Sequence, residues 1–157
     1  MLSVSQNAPV FSGPDQSNKT ISLTEFGGDK NVVLYFYPKD DTPGCTIEAN
    51  QFTALVDQFA QLDTVVIGVS KDDCDSHQQF IDKFDLKVEL LADTSGEICA
   101  AYDVWREKEK NGVKKMGIVR STFVIDKQGM LAYVDYAVTP EGHAQAMLSV
   151  VEGFERS

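Results

Sequence analysis

Histidine is scarce in this chain, with two residues, and cysteine comes to only three and tryptophan to one among 157 residues. Cys45, Cys74 and Cys99 are odd in number and widely spaced, which argues against a secreted disulfide framework; any disulfide here would be redox chemistry. Two histidines and no close C-x-x-C or H-x-x-x-H spacing give no reason to expect a metal site. No stretch approaches the roughly 18 apolar residues of a membrane span, and Met1 to Asn7 has neither a basic start nor an apolar run, so a cytoplasmic protein without a membrane partner is expected. Basic residues are outnumbered, 14 Lys and Arg against 24 Asp and Glu, and the net charge of −10 argues against nucleic acid as a partner. Repeats, low-complexity tracts and Pro/Gly/Ser-rich linkers are missing too, so residues 1–157 read as one domain.

What is present is an ordinary globular composition, 43% apolar and 24% charged, able to fold by itself. Val32 to Tyr37, VVLYFY, is a continuous apolar run of strand length ended by Pro38, and Thr64 to Ser70, TVVIGVS, is a second. Between them, Cys45 to Leu62 places Phe52, Leu55, Val56, Phe59 and Leu62 on one helical face. Strand, helix and strand imply a parallel crossover. Helices are further expected over Ser76–Phe84, Ser95–Tyr102 and Gly142–Arg156. Ser121–Ile125 and Met130–Tyr136 read as an antiparallel pair at a sheet edge, joined by the turn Asp126–Gly129. Arg106 to Lys115 reads as a solvated loop or hairpin tip, and Trp105, Phe11, Phe36 and the tyrosines as core or pocket wall.

The informative segment is Pro38 to Cys45, PKDDTPGC, which puts a cysteine where a buried strand gives way to a helix. A sulfur there faces unpaired amides and the positive end of the helix dipole, both of which favour the thiolate. The bland alternative is a buried cysteine packing as a small hydrophobe.

Pro38, Thr42 and Cys45 resemble the P-x-x-x-T-x-x-C signature of peroxiredoxins, and Arg120 in IVRSTFVID matches that family's active-site arginine segment. The likeness extends through the N-terminal APVF, GVSKD and the closing strands and helix, and is greatest to the bacterioferritin comigratory protein, or Q-type, subfamily. It implies an α/β thioredoxin-like fold, a mixed central sheet flanked by helices with an N-terminal β extension, in which Thr42 replaces the first cysteine of the thioredoxin C-x-x-C. It implies reduction of hydrogen peroxide and organic hydroperoxides through a Cys45 sulfenic acid, without a cofactor. Thr42 would hydrogen-bond the reacting oxygens and Arg120 would orient peroxide and hold the thiolate. Pro38 and Pro43 would shape and dry the pocket, and Glu48, one turn after Cys45, would tie the loop or the arginine. A monomer is expected.

The chain departs from that pattern where the subfamily keeps its resolving cysteine, since Asn50 and Ile81 occupy the two usual positions. Cys74, after the second strand, is placed on the same sheet edge as Cys45 and is the candidate resolving residue after a loop rearrangement. Cys99 reads as packing. Otherwise an external thiol, thioredoxin or glutathione with glutaredoxin, takes up the sulfenic acid. A redox sensor that does not turn over would use the same cysteine. A cysteine hydrolase would need His77 or His143 as base, with no such motif around Cys45, and Gln51 stands where a phosphatase loop requires arginine.

Overall fold

Buried strands separated by amphipathic helices force a layered arrangement, and the computed structural model, which describes residues 1–155, shows how the layers form. The chain runs through β1 (Ser12–Pro14), β2 (Thr20–Ser22), a 3-10 turn (Leu23–Phe26), β3 (Asn31–Phe36), α1 (Pro43–Gln61), β4 (Thr64–Ser70) and α2 (Cys74–Phe84). It continues through β5 (Glu89–Ala92), α3 (Glu97–Ala101), β6 (Trp105–Lys110), β7 (Val113–Ile118), β8 (Ser121–Ile125), β9 (Leu131–Asp135) and α4 (His143–Glu155). The central sheet has the order β5-β4-β3-β8-β9. β3 pairs parallel with β4 and β4 with β5, while β8 runs antiparallel to both β3 and β9, so the sheet is mixed. The β1–β2 hairpin is the N-terminal β extension.

The apolar run in β3 is explained by two-sided burial, because alternate side chains enter separate cores. Val32, Leu34 and Phe36 join Phe11, Ile67, Leu91, Cys99, Tyr102 and Phe123. Val33, Tyr35 and Tyr37 join Phe52 and Phe59 of α1, Phe80 of α2 and Met147 and Val151 of α4. No helix among the described residues is long and apolar enough to cross a membrane.

Several boundaries differ from the sequence expectation for local reasons. α1 begins at Pro43, whose fixed φ suits the first helical position. α2 begins at Cys74, since Asp73 caps it by accepting from the Ser76 amide at 2.8 Å. The expected end of the last helix, Arg156, lies outside the described residues. Arg106 to Lys115 belongs to a regular hairpin from Trp105 to Ile118, with Asn111 and Gly112 both at positive φ in its two-residue turn. The antiparallel pair closes one side of the sheet as expected, with β9 the edge strand and β8 beside it. Trp105 is not core; it stands 36% exposed with the Lys71 ammonium 4.1 Å above its ring.

Candidate active site

At the end of β3 the Tyr37 amide still bonds the Val69 carbonyl at 3.1 Å, after which Pro38 turns the chain away and Asp41 reverses it at a φ of 57°. Thr42 occupies the position before α1 in extended conformation. Its hydroxyl does not cap the helix but donates to the Lys39 carbonyl at 2.8 Å. The first turn therefore has no side-chain cap and offers its amides to the space above Cys45. Pro38 and Pro43 are exposed, one where the chain leaves β3 and the other at the first position of α1.

Cys45 is 2% exposed. Arg120, just before β8, donates from Nη2 to Cys45 Sγ at 3.3 Å and from Nη1 to Glu48 Oε1 at 2.7 Å. Glu48 is fully buried and its Oε2 has no partner. Burial pushes its carboxyl up to about 7, with Arg120 opposing the rise. Near neutral pH Glu48 therefore offsets only part of the Arg120 charge, leaving the rest directed at the sulfur.

Three residues around this pair carry no motif. A methyl at Gly44 would lie 3.1 Å from Arg120 Nη2 and 3.3 Å from Pro140 Cγ, so the guanidinium lies directly across the α1 backbone. Tyr35 stacks on Phe52 at 4.7 Å, its buried hydroxyl unpartnered and pushed well up by burial and then by Glu48 and Cys45. His143 opens α4 with Nε2 2.8 Å from Thr122 Oγ1, and burial holds its imidazole down to about 4.

Beneath the Pro38–Thr42 loop lies a buried polar network. Asp40 accepts from Tyr37 OH at 2.6 Å and from Ser76 Oγ at 2.8 Å, and His77 Nδ1 is 2.7 Å from its Oδ2. The Asp40 amide donates to Asp72 at 2.8 Å, and Asp72 also accepts from Ser70 Oγ at 2.7 Å. His77 Nε2 lies 3.0 Å from the Leu91 carbonyl, which can only accept. His77 therefore donates from Nε2. The ligand atoms of Asp40, Asp72 and His77 fall within 4.8 Å of one another, but these donors already occupy the carboxylates. Among the described residues neither histidine bonds Cys45, which removes the base a cysteine hydrolase needs.

Cys45 and Cys74 both follow parallel strands onto one sheet edge, as the sequence implied, but they lean apart. Cys74 Sγ lies 4.0 Å from Asn18 Oδ1, in the β1–β2 turn that bridges to β5, whereas Cys45 Sγ accepts from Arg120. Burial and then Asp15, Asp73 and Asp75 push the Cys74 thiol up. Cys99 is fully buried, its thiol raised by burial and by Asp93. A cavity of about 590 Å³ opens at the other end of β3 around Ala8, Leu23, Phe26 and Lys127.

The model of the AhpC/TSA family matches residues 4–134. Peroxiredoxin Bcp of Bacillus subtilis is 45% identical over 130 residues, covering 83% of this chain and 82% of that protein. Peroxiredoxin Bcp of Escherichia coli is 35% identical over 142 residues, 90% of each. Among solved structures, the Xanthomonas campestris bacterioferritin comigratory protein, studied for alkyl peroxide reduction, superposes with a TM-score of 0.87 at 33% identity, covering 92% of each chain. Xylella fastidiosa PrxQ gives 0.88 at 30% identity, covering 98% of each.

Proposed function

The chain belongs to the AhpC/TSA family and is a thiol-dependent peroxidase of the Bcp and Q-type branch, and from that premise we propose that Cys45 is the sulfur that reduces peroxide. The observation that carries the assignment is the bidentate Arg120, one arm on Cys45 Sγ at 3.3 Å and the other on buried Glu48 at 2.7 Å.

Peroxide enters over the first turn of α1. The Cys45 thiolate attacks the terminal oxygen, an S–O bond forms as the O–O bond breaks, and sulfur is oxidised to the sulfenic acid. The leaving alkoxide or hydroxide takes a proton from solvent and departs as alcohol or water. Thr42 spends its proton on Lys39, so its oxygen presents lone pairs that accept the O–H of the incoming peroxide. Arg120 and the uncapped amides hold negative charge as it moves from sulfur to oxygen.

The sulfenic acid is then taken by an external thiol, thioredoxin or glutathione with glutaredoxin, a conclusion supported by the placement of Cys74 beside Asn18 and the burial of Cys99. Residues 1–157 act as one domain, monomeric and cytoplasmic. The test is intact mass after a single equivalent of hydrogen peroxide, with and without a sulfenic-acid trap, on wild type, Cys45→Ser and Cys74→Ser. A trapped adduct in wild type and Cys74→Ser but not Cys45→Ser is expected. Retained peroxide turnover in Cys45→Ser would sink the assignment, and an internal disulfide present in wild type but lost in both Cys45→Ser and Cys74→Ser would replace the external thiol with Cys74.

A further inference from the structure

The positive charge of this acidic chain is unevenly placed. Between Trp105 and Ile118 it carries Arg106, Lys108, Lys110, Lys114 and Lys115 against Glu107 and Glu109, a net of +3 in a chain of −10. The β6–β7 register sorts these charges. Arg106 pairs with Gly117, Lys108 with Lys115 and Lys110 with Val113, so these six share one face, while Glu107, Glu109 and Lys114 lie on the other. Arg106 is held by Asp103 at 2.7 Å. Among the described residues, no carboxylate pairs with Lys108, Lys110 or Lys115, and all three are exposed.

This face adjoins the site. Lys108 Nζ donates to the Ile118 carbonyl at 2.8 Å, two residues before Arg120. Its ammonium is pushed down by burial and then by Arg120, and drawn up by Cys45, so it shares the electrostatic surroundings of the sulfur. At physiological salt charges act over about 8 Å, so an approaching anion meets these lysines and Arg120 and is screened from the distant acidic surface.

We propose that the Lys108, Lys110 and Lys115 face is the recognition surface for the reductant, and that this reductant is a thiol bearing carboxylates. The proposal rests on Cys45 forming the sulfenic acid. Hydrogen peroxide is neutral and gains nothing from a cationic approach, and the placement of Cys74 and Cys99 leaves reduction to a molecule from outside. An anionic thiol drawn to this face attacks the Cys45 sulfenic sulfur; the S–S bond forms, the S–O bond breaks, and the hydroxide leaves as water with the thiol's proton. A second thiol then releases the disulfide and restores the Cys45 thiolate.

The test measures reduction of preformed Cys45 sulfenic acid by mercaptosuccinate, neutral mercaptoethanol and cationic cysteamine, each rate normalised to its thiolate concentration, in wild type, Lys108→Gln and Lys110→Gln/Lys115→Gln. In wild type at low salt the dianion is expected to react about tenfold faster than the neutral thiol and cysteamine slower still. High salt or the paired replacement should remove most of that advantage while leaving the mercaptoethanol rate within about twofold. A wild type indifferent to thiol charge overturns the proposal, as does a preference that survives both variants. Variants that slow a carboxylate-bearing hydroperoxide but not mercaptosuccinate would assign the face to the oxidant and overturn it too. If Cys45 forms neither a trappable sulfenic acid nor a disulfide, the peroxidatic assignment fails first and this proposal falls with it, whereas an internal Cys45–Cys74 disulfide overturns this proposal alone.

Discussion

Replacing Glu48 by Gln should change how stability depends on pH by an amount that follows from burial. The Glu48 carboxyl stands at about 7 in the fold against 4.5 when exposed. At about 1.4 kcal/mol for each tenfold in proton affinity, that difference amounts to about 3 kcal/mol. The folded state holds this proton more tightly than the unfolded chain, so the contribution favours folding fully below pH 4.5 and is lost as pH rises to about 7. His143 acts oppositely. Its imidazole is held down to about 4 from 6.5, so its contribution is present above pH 6.5 and lost as pH falls toward 4, worth about 2 kcal/mol after solvent screening. Between these limits the two slopes largely offset each other in wild type. Gln mimics the neutral acid, so near pH 4.5 the variant should match wild type apart from a constant offset, and by pH 7 it should have gained about 3 kcal/mol relative to it. Urea unfolding across that range, taken as the difference between the two proteins, isolates Glu48 from every other titrating group. A difference that stays level with pH, or falls, would refute the argument.

Arg120→Ala should slow Cys45 oxidation by roughly a hundredfold, because the donor that stabilises charge at the reacting atoms is gone; stopped-flow oxidation measures it, and a change below about threefold would remove Arg120 from the chemistry. Thr42→Ser should keep most activity and Thr42→Val should lose it, since only serine retains an oxygen to accept from peroxide; an active valine variant contradicts the geometry. His77→Leu should destabilise the fold by about 2 kcal/mol by leaving the buried Leu91 carbonyl and the Asp40 network without the imidazole, read by thermal or urea unfolding, whereas an unchanged midpoint would show that the network does not hold the loop.

The apolar runs made β3, β4 and β8 legible, because a strand buried on both faces carries no charged residue to disguise it. β5 escaped notice with four residues, too few for a period to register. Cys45, Thr42, Arg120 and Glu48 stood out through a family signature and not through periodicity. The Tyr37–Asp40–His77 network had no such signal: Asp40 and His77 are 37 residues apart, and nothing in either local sequence announces that both are buried. Gly44 reads as a turn glycine in sequence, and only the path of Arg120 shows why a side chain there would collide. Trp105 was misplaced because aromatic residues are usually buried, whereas here a lysine covers the ring from outside.

The sulfur and the guanidinium that polarises it are 75 residues apart in the chain, and they meet only because β8 lies against β3. On a ribosome the segment around Cys45 emerges long before the strand that brings Arg120. On the proposed assignment, Cys45 gains its Arg120 partner, and with it the reactivity toward peroxide, only as the last internal strand docks. On that assignment, peroxide sensitivity of Cys45 would report that β8 has docked against β3.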